Sequence, residues 1–89
     1  MIVIYTQDNT IIRENADAAR GDLISLYGEK LGAEAYAAVR NGRNGATYRK
    51  YGGPLVKVVS KEDAKSIRDK EKSNGIPVYF DFSKIEIKK

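Results

Sequence analysis

Residues 1–6, MIVIYT, are apolar at nearly every position and rich in β-branched and aromatic side chains. A strand with one face in water alternates apolar and polar residues, so an unbroken run calls for a central or well-covered strand, buried on both faces. The run is far too short to span a bilayer and lacks the basic n-region of a signal peptide, and no later stretch is long and apolar enough for a membrane helix. A cytoplasmic protein without a membrane partner is the expectation.

Gln7-Asp8-Asn9 is turn-forming, and Ile11-Ile12 is expected to continue as the second arm of a short hairpin. The other reading makes Asn9 or Thr10 the cap of a helix that already contains both isoleucines. From about residue 16 the period becomes helical, with Ala19, Leu23, Leu26, Tyr27 and Leu31 on one face, Asn15 as N-cap and Asp17 near the positive end of the helix dipole. Gly21 and Gly28 fall on nearly the same side of this helix, which either a close packing contact or simple tolerance of an exposed glycine explains. Gly32 is expected to end the helix in a left-handed cap. Residues 33–41 then form a second short helix or a kinked continuation, extending the stripe through Ala35 and Ala38 until Asn41-Gly42 stops it.

Gly52-Gly53-Pro54 introduces a strand over residues 55–59, and Ser60 caps a helix running to about residue 73. Ser60 and Asp63 have capping-box spacing, while Val59 and Ala64 are placed as a hydrophobic staple. Because this helix offers only Ala64 and Ile67 to a core, it is expected to lie solvated on the outside of the domain. Asn74-Gly75 ends it. Residues 76–82 form the final strand, with Val78, Phe80 and Phe82 on one face and Tyr79 and Asp81 on the other. Ile85 and Ile87 are out of phase with that set, so a bulge or tight turn near Ser83-Lys84 is expected, followed by fraying at Lys88-Lys89. The order predicts an α+β fold over 1–89, a small two-layer single domain whose mixed β-sheet carries two or three helices mainly on one face. Residues 55–82 form a candidate parallel βαβ unit.

The chain has no cysteine and no histidine. This excludes a disulfide framework, thiol chemistry and cysteine-based zinc sites, and removes the commonest general base. The glycines match neither GxxxxGK[ST] nor GxGxxG, and there is no helix-turn-helix, zinc-finger or RRM signature. Asp8, Glu14, Asp81 and Glu86 are the remaining catalytic candidates. Asp81 stands out because it interrupts an aromatic strand, although an aspartate there ordinarily faces water. The expectation is a non-enzymatic protein without cofactor or metal.

The compositional anomaly is segment 39–54, VRNGRNGATYRKYGGP. Residues 35–61 carry six basic and no acidic side chains, in a chain whose net charge is only +4. Arginine forks suit phosphate oxygens, tyrosine rings suit bases, and glycines allow close backbone approach. The expectation is a small basic module that contacts nucleic acid or phosphate through this segment, with Arg40, Arg43, Arg49 and Lys50 as the phosphate contacts, Tyr48 and Tyr51 as the stacking rings, and Gly42 and Gly45 as the residues that shape the loop. The bland reading is a helix cap and a turn from the repeated Asn-Gly, with solubilising charges around them. The alternative function is protein–protein interaction, as a homodimer, an adaptor or an inhibitory accessory protein, built on the six tyrosines and a sheet edge such as that of residues 76–82.

Overall fold

A computed structural model of the chain describes residues 1–80. The expectations for Asp81, Phe82, Ser83-Lys84, Ile85, Glu86, Ile87 and the terminal lysines lie outside the described residues. In chain order the elements are β1 (Ile2–Tyr5), β2 (Thr10–Arg13), α1 (Ala16–Tyr27), α2 (Glu29–Arg40), β3 (Thr47–Tyr48), β4 (Leu55–Val58), α3 (Lys61–Ser73) and β5 (Val78–Phe80). The strands form one mixed sheet in the order β3-β4-β1-β2-β5, an α+β architecture with the apolar N-terminal strand at its centre.

β1 runs antiparallel to both β2 and β4, while β5 is parallel to β2. β4 and β5 are consequently parallel to each other and joined through α3, but β1 and β2 lie between them. Isoleucines 11 and 12 belong to a hairpin strand, with Ile4 opposite Ile11 and Val3 opposite Ile12. That register splits the core. Ile2, Ile4, Val56, Val58 and Tyr48 meet Ala19, Leu23, Ala35 and Val39 of α1 and α2. Val3, Ile12 and Val59 meet Ala64 of α3, with Ile67, Val78 and Phe80 packed around them. The larger helical layer covers one face, and α3 lies outside the other with Ala64 its only buried residue among those described.

Capping follows the local chemistry. The Asn15 side chain accepts from the Ala18 N–H at 2.9 Å, and Ser60 Oγ accepts from the Asp63 N–H at 3.1 Å. Two polar ties join the layers. The Arg13 guanidinium donates from Nε and Nη2 to the Asp22 carboxylate of α1, at 2.7 and 3.1 Å, and the buried Thr10 hydroxyl donates to Glu71 Oε1 of α3 at 3.0 Å. No helix among the described residues is long and apolar enough to cross a membrane.

Two expectations about the helical region are corrected. The break comes at Gly28, with φ of +88°, so α1 is shorter than its apolar stripe suggests and α2 begins at Glu29. Gly32 is no cap. It lies inside α2, where a Cβ would stand 2.6 Å from Ile24 Cα, so its missing side chain is what lets α1 and α2 touch backbone to backbone. Restarting the helix also resets its phase, which buries Gly32, Ala35 and Val39 and leaves Ala38 exposed. Gly21 has open space around it and is the tolerated exposed glycine.

These surroundings predict opposite effects for one change. Gly32→Ala forces overpacking against backbone and is expected to destabilise by about 1–3 kcal/mol. Gly21→Ala, in an open helical position, is expected to stabilise by roughly 0.5–1 kcal/mol. Urea denaturation midpoints of the two variants check both signs.

Candidate binding surface

Segment 39–54 wraps the β3 edge of the sheet. α2 ends at Arg40, and the chain turns through Gly42 and Arg43, with the Ala46 N–H donating to the Arg43 carbonyl at 2.9 Å. Gly45 donates to the Val58 carbonyl and Ala46 accepts from the Val58 N–H, so two residues of the edge face one of β4, as in a bulge. A side chain would be costly at both glycines of this turn: a Cβ on Gly42 would lie 2.7 Å from that of Ala46, and Gly45 has φ of +99°. Past β3, a second turn closes where the Gly53 N–H donates to the Lys50 carbonyl at 2.8 Å. Tyr51 and Gly52 are its central residues, with φ of +54° and +69°, the positive pair of a type I′ turn.

The second turn is fastened from inside. The Tyr27 and Tyr48 rings meet edge to face, with centroids 5.5 Å apart at 81°. Tyr27 donates its hydroxyl to the Pro54 carbonyl, and its ring presses on Gly53, where a Cβ would stand only 2.9 Å away. Tyr48 donates to Glu34 Oε1 at 3.1 Å. Only 8 % of Tyr48 is exposed, so the ring expected to stack on a partner belongs instead to the core. Tyr51 is the opposite case, at 90 % exposed.

The cations share one edge but not one cluster. Arg43 sits beside the Val58 end of β4, and Arg49 and Lys50 beside its Leu55 end, about 10 Å away at strand rise. Arg40 lies over the Tyr36 ring at 5.8 Å, with Arg20 of α1 at 5.4 Å from the same ring and Asp17 accepting the Tyr36 hydroxyl. Arg20 was not legible as part of this surface, because only the packing of α1 on α2 brings it there. Arg49 is exposed, its Nε donating to the Gly53 carbonyl at 3.0 Å. Among the described residues neither Arg43 nor Arg49 pairs with a carboxylate.

Glu34 breaks the single-sign field that the linear sequence shows. It lies 3.3 Å from Lys50, both about half exposed, an ion pair of the weak surface kind. The hydrogen bond from Tyr48, then that from Lys50, hold its carboxyl below the usual value. Beyond the edge, a cleft of about 860 Å³ opens between the β1–β2 turn and residues 49–55. Comparison with protein families, with curated proteins and with solved structures finds no match to this chain.

The buried tyrosine carries a pH prediction. Burial first, then the bond to Glu34, push the Tyr48 hydroxyl from 10.0 up to about 12. The folded state therefore keeps a proton that the unfolded chain releases near its ordinary value. The stability this contributes is whole below about pH 10 and is lost as pH rises toward 12. Burial also raises Tyr27, and the bond to Asp17 raises Tyr36, so alkaline loss has several sources. Tyr48→Phe is expected to cost about 1 kcal/mol at neutral pH and to flatten the loss above pH 10, read from urea midpoints across the alkaline range.

Proposed function

We propose that this chain is a non-enzymatic binding module that holds single-stranded nucleic acid along its β3 edge. Arg40, Arg43, Arg49 and Lys50 neutralise phosphates, and Tyr51 stacks on a base. The observation that carries this reading is Tyr51. A bulky L-residue pays for a left-handed conformation, of the order of 1–2 kcal/mol, and a hydrophobic ring gains nothing from standing in water. Here both occur at one residue, directly after Arg49 and Lys50. The turn requires the left-handed backbone but not a tyrosine in it, and strain and exposure that a glycine would have avoided are the mark of a residue kept for contact.

The tyrosines give less support to a protein partner. Tyr48 is buried, and the Tyr27 and Tyr36 hydroxyls already have acceptors. Among the described residues the two exposed rings, Tyr51 and Tyr79, lie toward opposite edges of the sheet and do not make one hot spot.

Fluorescence anisotropy with a labelled single strand tests the proposal. Wild-type affinity is expected to fall with salt at a log–log slope of about −3 for four phosphate contacts. Changing Arg40, Arg43, Arg49 and Lys50 together to glutamine should abolish binding with the fold intact by circular dichroism. Salt-insensitive binding, or unchanged affinity in that variant, rejects the proposal. Separately, Tyr51→Gly is expected to raise stability by about 1 kcal/mol by relieving the left-handed strain while weakening binding, a trade-off that a merely structural residue would not show.

A further inference from the structure

The cleft beyond the basic edge has a lining of two kinds. Ile11, Leu26 and Leu55 supply apolar surface, while Gln7, Asp8 and Asn9 of the β1–β2 turn supply a polar rim. Leu26 is 40 % exposed, a large aliphatic side chain left in water near the end of α1. The rim is held firmly by Thr6. Its hydroxyl accepts from the Asn9 N–H at 2.9 Å and lies 2.8 Å from Asn9 Oδ1, and the Thr6 N–H donates to the Asn9 carbonyl at 2.9 Å. Gln7 and Asp8 are left with exposed side chains on this braced turn.

Arg49 joins the cleft to the basic edge. It lines the cleft, and its Nε–H is spent on the Gly53 carbonyl, so the guanidinium plane is fixed while its terminal N–H groups remain for a ligand. A site with an apolar wall, hydrogen-bonding groups on one rim and an oriented cation at its mouth has the features of a nucleotide: a flat base with polar edges, next to a phosphate. A volume of about 860 Å³ is in the range of small-ligand sites. An aliphatic ligand would leave the rim and Arg49 unused, and a free phosphate would leave the apolar wall unused.

We propose that this cleft is a nucleobase pocket, which takes one base of the strand whose phosphate Arg49 holds. The base lies against Leu26, Ile11 and Leu55 and presents its edge to the Gln7 to Asn9 rim. The proposal rests on the nucleic-acid reading of the β3 edge and adds to it a second base-binding position, separate from Tyr51.

The test compares, at one salt concentration, a labelled oligothymidylate with an equally long strand of abasic tetrahydrofuran residues. Wild-type protein is expected to bind the base-bearing strand roughly tenfold more tightly. Leu26→Gln, at a partly exposed helical position, should remove much of that preference and leave affinity for the abasic strand unchanged. In Tyr51→Gly a part of the preference should survive, because the pocket remains. Equal wild-type affinity for the two strands overturns the pocket together with the stacking role of Tyr51, an undiminished preference in Leu26→Gln overturns the pocket alone, and either result leaves the phosphate-binding edge standing. Absence of binding to both strands overturns the edge and the pocket together. A measurement on the unaltered protein guards against a variant that fails to fold. In a nitrogen-15 amide spectrum titrated with adenosine 5′-monophosphate, shifts are expected at residues 6–11, 26 and 49–55. A titration that leaves 6–11 and 26 unmoved overturns the pocket.

Discussion

The fold depends on covering β1 from two sides. Ile2, Val3 and Ile4 are each no more than 2 % exposed, and they alternate between two cores. Burying each is worth roughly 1.5–3 kcal/mol, against a total stability that for most domains is only about 5–15 kcal/mol. Neither cover is dispensable on that scale. The α1–α2 pair forms one cover, closely joined because Gly32 allows backbone contact with Ile24. α3 forms the other with far less apolar surface, and Thr10 to Glu71 and Arg68 over the Phe80 ring at 4.8 Å help to seat it.

Much of this was legible because the signals are local. The unbroken apolar run of β1 asked for two-sided burial, and the caps at Asn15 and Ser60 were readable from side chains that compete with the backbone for its first N–H groups. The joint between α1 and α2 was misread for a physical reason. Both Gly28 and Gly32 suit a helix end, and what separates them is whether the chain needs a positive φ or a close approach, a matter decided by a neighbouring helix four to eight residues away. Strand order was likewise outside the reach of local pattern, since nothing in residues 76–80 says that they pair with β2 in place of their predecessor β4.

The candidate surface was legible as composition and not as geometry. Segment 39–54 was marked by its charge, but two of its attributes come from non-local packing. Tyr48 turns inward because the pleat that puts Thr47 outside puts its neighbour against Tyr27, while Tyr51 is free because a turn intervenes. Glu34 is separated from Lys50 in sequence by a helix end and a strand, yet the fold sets the two side by side. A count of charge along the chain cannot register such a return.

Glu34 also bears on which cations matter to a polyanion at this edge. With its carboxyl held below the usual range it is ionised at neutral pH, so it offsets Lys50 and repels a phosphate approaching that point. Arg43 and Arg49 form no ion pair with a carboxylate among the described residues, although Asp8 shares the cleft that Arg49 lines, and they stand on either side of the two-residue strand β3. Under the proposed reading these two arginines define the path of the ligand, with Lys50 a lesser contributor. A path with cations at its two ends and an acid near one of them suits a chain that can bend away between contacts. A stiff duplex, with phosphates at fixed intervals, would have to meet the acid as well as the arginines. Under the proposed reading, this is the physical ground for preferring a single strand to a duplex.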